Sequence, residues 1–278
     1  MSDPRPAVGG DAEGFHLGAY LDRIGHTGPV AADLPTLRAV HRAQVMSIPF
    51  ENLDPVHGIV PSLDLADLHE KIVAGGRGGY CYEQNLLLTA ALRAIGLTVR
   101  LIMGRVAIGT GDPATRPRTH LALRVEVPGL PVPYLADCGF GSAGALIEPV
   151  PFTPDAEQLT DGRRHRLLRD PGVDGPDTWT LQAWGSDGWT SQYVLTTEPV
   201  ERPDCGVANW FVATYPRSPF RKRLHVTRTG PGVHRSLMGT ELTVTDADGT
   251  AWTREVGEED IAKVLVEEMG IDVPRRWR

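Results

Sequence analysis

The spacing of apolar residues along this chain changes at residue 97 from a helical to a strand-like period, and that change divides what the two parts can fold into. A period near 3.6 puts one stripe of a helix into a core, whereas a period of two puts one face of a sheet there. Before the change, Leu17, Tyr20, Leu21 and Ile24 fall at i, i+3, i+4, i+7, and Gly25 stops the run. A second helix is expected from Asp33, with Pro35 in its first turn and Leu37 and Val40 on its inner face. A third is capped by Asp64, carries Leu65, Leu68 and Ile72, and ends at Gly75-Gly76. A fourth has Leu88, Ala91, Leu92 and Ile95 on one face and Gly96 at its end.

After the change, residues 99–108, 120–127, 133–137, 179–184 and 189–196 read as strands, with a hairpin-like turn at Gly185-Ser186-Asp187-Gly188. Residues 149–176 are polar and rich in Pro and Asp, and no element is assigned there. Beyond them, strands are expected at 207–214 and 224–229, and a hairpin at 241–256 around Asp246-Ala247-Asp248-Gly249. A last helix carries Ile261, Val264, Leu265 and Met269 and stops at Gly270. The expected class is therefore α+β. It comprises a helical domain over residues 1–96, a β domain (a barrel or strongly curved sheet) over 97–206, and a mixed domain over 207–278.

Composition narrows the function. A chain of 278 residues with 41% hydrophobic and 23% charged residues is that of a water-soluble globular protein with a sizeable core. Its formal charge of −7 argues against binding nucleic acid without sequence preference. Three cysteines, with no Cys-x-x-Cys or Cys/His ligand spacing, provide neither a disulfide framework nor a metal site. The first fourteen residues read as a polar, loosely held arm without signal-peptide character, and no apolar run approaches the ~18 residues of a membrane span. A cytoplasmic protein is expected, with no membrane or nucleic-acid partner. Monomer and homodimer are both open.

The stretch Arg77-Gly78-Gly79-Tyr80-Cys81-Tyr82-Glu83-Gln84-Asn85 places a cysteine after two glycines and at the start of the fourth helix. Unpaired N–H groups at a helix N-terminus favour an anion there, and the thiolate is the reactive form of cysteine. Cys81 is thus a candidate nucleophile. On this stretch alone a small thiol packing a helix start explains it as well.

A nucleophilic cysteine needs a base and a group to orient that base. Among nine histidines, His120 stands out, because Leu121, Leu123, Val125 and Val127 alternate onto one strand face and leave His120 on the other. A strand-capping or water-facing histidine is the competing reading. Asp137 ends the apolar run Tyr134-Leu135-Ala136 and precedes Cys138-Gly139-Phe140-Gly141. A carboxylate there needs hydrogen-bond partners, which a protonated histidine or a local turn would supply.

Taken together, these segments resemble the arylamine N-acetyltransferase family. The residues that carry the resemblance are Ile48-Pro49-Phe50-Glu51-Asn52-Leu53-Asp54, the stretch from 77 to 85, Thr119-His120, the segment 134–141, and the segment 209–220. The similarity implies a papain-like triad of Cys81, His120 and Asp137. It also implies a helical first domain, a β-barrel second domain and an α/β lid. The implied reaction is ping-pong: acetyl-CoA, a co-substrate and not a resident cofactor, acylates the cysteine, and an arylamine or arylhydrazine takes the acetyl group. It further implies CoA contacts at Gly139, Gly141 and residue 215, an acceptor site at Phe50, Phe140 and Phe220, and no metal. Arg217, Arg221, Lys222 and Arg223 place positive charge near the lid, where it would meet CoA phosphates or only solvent.

The chain departs from the family pattern at two positions. Tyr215 stands where a histidine that contacts the cofactor is common, and Cys138 stands where a valine is usual, which makes it a small buried hydrophobe. Two other functions share much of this pattern. An amide synthase closing a macrolactam from a carrier-bound acyl chain would use the same triad. A CoA- or arylamine-binding protein without turnover would not need all three residues.

Overall fold

The computed structural model describes residues 14–109, 111–172, 175–246 and 248–274, so the expected N-terminal arm falls outside it except for Gly14. The helical part forms as the periodicity dictates. Helix α1 (Leu17–Arg23) buries Leu17, Tyr20 and Leu21. Helix α2 (Leu34–Ser47) starts at Asp33, whose carboxylate accepts the Thr36 N–H at 2.9 Å, with Pro35 where no N–H donor is needed. A single turn, α3 (Leu53–Val56), follows, and then α4 (Leu65–Leu68), which widens into a π-helical turn at His69–Ala74. Helix α5 (Cys81–Ile95) is buried along nearly its whole length. Glu83 reaches back to accept the Tyr80 N–H at 3.1 Å, and Gly96 ends the helix in a left-handed conformation (φ 101°).

The middle of the chain supplies β2 (Thr98–Val106), β3 (His120–Glu126), β4 (Tyr134–Ala136), β5 (Val150–Pro151), β6 (Gln158–Thr160), β7 (Arg163–Asp170), β8 (Thr178–Gly185) and β9 (Gly188–Thr196). They form one antiparallel sheet in the order β5-β4-β3-β2-β9-β8-β7-β6. The sheet curls until its ends meet: Pro154 bridges to Leu167, and the Asp155 N–H donates to Leu167 O at 2.8 Å. The result is a nearly closed barrel. Its interior holds Ile102, Ala122, Leu135, Phe140, Leu181 and Tyr193, while Leu101, Met103, Leu121 and Leu123 face the helices and join their core. Strands β2 and β3 are therefore buried on both faces. The side of β3 that carries His120 looks into the barrel and not into water.

Three of these strands lie in the stretch left unassigned by sequence. Strand β7 buries His165 and Leu167 and turns arginines outward, and Arg164 and Arg166 lie over the rings of Trp184 and Trp189. Its high charge conceals a one-sided strand.

The expected strand at 207–214 is instead the C-terminal part of a helix, α6 (Arg202–Thr214). Val207, Trp210 and Phe211 favour strands, but Cys205, Asn209, Val212 and Ala213 are the buried set, and their spacing is helical. The helix also runs through residues 206 and 207, where the domain boundary was expected. A short α7 (Pro219–Lys222) leads into β10 (His225–Gly230), β11 (Val233–Met238), β12 (Glu241–Asp246), β13 (Ala251–Glu255) and α8 (Ile261–Glu267). No strand is expected at β11 from the sequence, whereas the 241–256 hairpin forms as expected and the closing helix forms but ends at Glu267, short of Met269 and Gly270. This second sheet gains an edge strand from the helical part, β1 (Phe50–Glu51), paired Phe50 to Thr227 and Glu51 to Val226. The segment Ile48–Asp54 thus links the first part of the chain to the last.

Candidate active site

Cys81 opens α5, and its side chain is almost completely covered, with 6% exposure. Its Sγ lies 3.9 Å from the carbonyl oxygen of Thr119, the residue before His120. Tyr82 donates its hydroxyl to the same carbonyl at 2.7 Å, so the helix start is tied to the start of β3. His120 Nε2 sits 2.7 Å from Asp137 Oδ2, which leaves Nδ1 as the ring nitrogen not engaged by the carboxylate. Residues expected from three separate stretches of sequence are brought together here.

The electrostatics follow from burial and pairing. Burial alone would lower the His120 pKa, but the Asp137 charge, its hydrogen bond and the Cys81 side chain together raise it to about 10. Asp137 has no exposed surface, and burial alone would raise its pKa. Its interactions with His120, Asn85 and the Gly139 N–H instead hold it below the ordinary carboxylate range. Asp137 Oδ1 accepts from Asn85 Nδ2 at 2.9 Å and from the Gly139 N–H at 3.0 Å.

Asn85 was not singled out by sequence reasoning. It lies one turn beyond Cys81 on α5 and donates also to Leu121 O at 2.7 Å, while its Oδ1 accepts the Cys138 N–H at 3.1 Å. One amide thus ties the nucleophile helix to β3 and to the segment after β4. Its signal was present, because a polar residue four positions after the cysteine lies on the same helix face.

The charged residues of the quoted segments form a buried cluster beside the helix start. Arg77 donates to Glu51 Oε1 from Nε at 2.9 Å and Nη2 at 2.6 Å. Lys71 Nζ reaches Asp54 at 2.5 Å and Glu83 at 2.6 Å. Burial opposes the charge on Lys71, but the three carboxylates around it raise its pKa.

The remaining expected residues divide by location. Phe50, Phe220 and His225 cluster, with centroids 5.8 Å apart for Phe50–Phe220 and 5.6 Å for the stacked Phe220–His225 pair. Phe140 instead packs edge-on against His120 at 4.9 Å. At Gly139 a Cβ would come 2.7 Å from Cys81 Cα, and at Gly141 (φ 68°) it would enter the Phe50 ring at 2.5 Å. Protein atoms already fill both spaces. Tyr215 caps α6, stacks on Phe211 at 4.7 Å, and accepts a hydrogen bond from Arg217 Nε at 2.8 Å. Cys138 is buried, and burial followed by the Asp137 charge pushes its thiol well above the usual range, as suits a packing residue. Among the described residues, no group of three or more His, Cys, Asp or Glu side chains could hold a metal ion, and no helix is long and apolar enough to cross a membrane.

A covered thiol at a helix start, near a histidine paired with a buried carboxylate, is the residue set that thiol-dependent group transfer requires. A family model described as N-acetyltransferase matches residues 33–278. The chain is similar to the arylamine N-acetyltransferase of Mycolicibacterium smegmatis, with 39% identity over 92% of both chains. The crystal structure of the Nocardia farcinica arylamine N-acetyltransferase superposes with a TM-score of 0.90 at 38% identity, covering 99% of this chain and 96% of that one. The Mycobacterium marinum enzyme in complex with CoA superposes at 0.86 and 33% identity, covering 92% and 93%. The chain belongs to the arylamine N-acetyltransferase family and is an acyltransferase by descent and fold.

Proposed function

We propose that the protein moves an acetyl group from acetyl-CoA to the amino group of an arylamine or arylhydrazine, by way of a thioester on Cys81. The observation that supports this reading is the 2.7 Å pair of His120 Nε2 with Asp137, on a strand whose preceding residue, Thr119, offers its carbonyl to both Cys81 and Tyr82 at the start of α5. His120 takes the thiol proton at Nδ1, and Asp137 stabilises the imidazolium formed. The Cys81 sulfur attacks the thioester carbonyl, and N–H groups at the start of α5, that of Cys81 among them, face the oxyanion. The tetrahedral adduct collapses, the C–S bond to CoA breaks, and His120 returns its proton to the departing CoA sulfur. The amine then attacks the acetyl-cysteine, His120 accepts the amine proton, and the Cys81 thiol is restored as the amide leaves.

Family membership and the CoA bound by the M. marinum relative support CoA as the donor's carrier. Phe50 and Phe220, with His225 beside them, offer flat apolar surface for an aromatic acceptor, and Phe140 lines the side next to His120. The family resemblance, and not the glycine spaces, which Cys81 and Phe50 fill, assigns the pantetheine arm to the 139–141 backbone.

Incubation with acetyl-CoA alone, read by intact mass, is expected to add one acetyl group to the wild type and none to Cys81→Ala. Adding an arylamine should then remove the group and release the amide. A wild-type protein that takes no acyl group from any short acyl-CoA overturns the proposal.

A further inference from the structure

His41 lies in α2, takes no part in the reaction described above, and has no exposed surface. Both ring nitrogens are occupied: Nδ1 is 2.9 Å from Ile147 O, and the backbone N–H of Asp137 donates to Nε2 at 2.9 Å. A carbonyl only accepts and an amide N–H only donates. The two contacts therefore specify one neutral tautomer, with the proton on Nδ1 and the lone pair of Nε2 facing Asp137.

Asp137 needs that lone pair. The pairing of β4 with β3 runs from Tyr134 to Ala136 and stops there, so the Asp137 N–H emerges beyond the last residue in register. A buried amide in that position requires an acceptor, and the His41 ring provides one. The Asp137 residue is then held from both sides. His41 fixes its peptide, and Asn85 and the Gly139 N–H fix the carboxylate oxygen turned away from His120.

We propose that His41 is a positioning residue for acetyl transfer: as a neutral hydrogen-bond acceptor it sets the peptide at Asp137, and so the direction in which the carboxylate meets His120. The inference rests on the reading of Cys81, His120 and Asp137 as the reacting set.

The two histidines that flank Asp137 have opposite tasks. His120 donates to the carboxylate and gains from being charged, whereas His41 accepts from the peptide and must stay uncharged. The charged groups facing His41 are Asp137 and Glu148, and both favour its protonation, but burial outweighs them and lowers its pKa. A protonated ring would set a second N–H against the Asp137 N–H. An ordinary core histidine would stabilise the fold without affecting His120, and this difference can be measured.

The test compares wild type, His41→Leu and His41→Gln in the full chain, each first checked for folding by thermal unfolding. One readout is the pH titration of the His120 ring by NMR, assigned with His120→Gln. The other is the single-turnover rate of Cys81 acetylation by acetyl-CoA. Leucine removes the acceptor, so the His120 midpoint is expected to fall by about one unit or more. Acetylation should slow by roughly ten- to a hundredfold, as for a misplaced reacting group. Glutamine offers both an acceptor oxygen and a donor NH₂, and it should recover most of both losses. Should the leucine variant not fold, His41→Met serves in its place and is read in the same way.

A folded variant without the acceptor that keeps the wild-type His120 titration and acetylation rate overturns the proposal. So does a folded glutamine variant no better than leucine in either readout. If acetyl transfer itself were misassigned, the wild type would fail to acetylate at all, while the comparison of His120 titrations would still report on His41.

Discussion

The Asn85 amide nitrogen and the Asp137 carboxylate are hydrogen-bonded at 2.9 Å across 52 residues of chain, and the same nitrogen donates to Leu121 O at 2.7 Å. The nucleophile helix and the orienting acid therefore share one side chain. Asn85→Ala leaves the Leu121 carbonyl and the Cys138 N–H unpaired in a buried site, at a cost of about 1–3 kcal/mol for each group. Asn85→Asp keeps the shape but sets a carboxyl against Asp137, so one of the two must carry a proton. Urea unfolding should show the alanine variant clearly destabilised. Stopped-time acetylation should show the aspartate variant slowed by roughly a hundredfold, in the range of a misplaced reacting group.

Gly139 and Gly141 separate two explanations of the segment after Asp137. If their small size serves only an approaching cofactor, Gly139→Ala and Gly141→Ala should melt like wild type when no CoA is present. The geometry predicts otherwise, because the new Cβ meets Cys81 Cα at 2.7 Å or the rigid Phe50 ring at 2.5 Å, the second at a positive φ. Overpacking of this kind costs about 1–3 kcal/mol. Thermal unfolding without ligand should show a lower Tm for both variants.

Lys71 and the surface pair Arg254–Glu268 contrast in stability. Lys71 is mostly buried among Asp54, Glu83 and Glu51, and Lys71→Met leaves the buried Glu83 without its cation while Arg77 stays on Glu51 and Asp54. Breaking a buried pair from one side typically costs about 3–5 kcal/mol. Arg254 and Glu268 keep 41% and 33% of their side-chain surface exposed, so Arg254→Met should cost at most about 1 kcal/mol. Chemical denaturation of the two variants, side by side, tests the ordering.

Three buried histidines besides His41 weaken the fold on the acid side. Burial is the first cause in each case and lowers His165 and His225 to about 4 and His234 to about 3. The folded state thus binds these protons less readily than the unfolded chain, whose histidines titrate near 6.5. Their contribution is complete above that pH and is lost as pH falls toward 4 and 3. His120 has the opposite sign. Its folded pKa of about 10 makes its contribution complete below about 6.5 and lost as pH rises through 10. Stability measured by denaturant at a series of pH values should therefore fall at both ends. His234→Gln should flatten the acid side and leave the alkaline side unchanged.

How much was legible in advance depended on whether the signal was local. Cys81, His120 and Asp137 were readable because each sits at an element boundary with its own pattern: a helix start, the first residue of an alternating strand, and the end of an apolar run. His41 was not, because an imidazole inside a helix looks the same whether it meets water or a strand about a hundred residues away, and for Asn85 the only local signal is its place four residues after Cys81. The helix Arg202–Thr214 was misread because its strand-favouring residues, Val207 and Trp210, face outward at 72% and 60% exposure, where packing does not test propensity. Strand β7 was passed over because its outward arginines, laid over tryptophans, masked the buried His165 and Leu167.

The sequence by itself determined the first helices, the change of period at residue 97, and which side chains could do nucleophilic chemistry, since these depend on neighbours within a turn or a strand. Only the tertiary structure decided that Cys81 of one segment and His120 and Asp137 of another would meet. It also decided that His120 would hold its proton to about pH 10 while His41, on the other side of the same aspartate, would remain neutral. The physical reason is that a pKa, like a hydrogen bond, depends on what lies within a few ångströms, and in a buried site those neighbours come from distant parts of the chain.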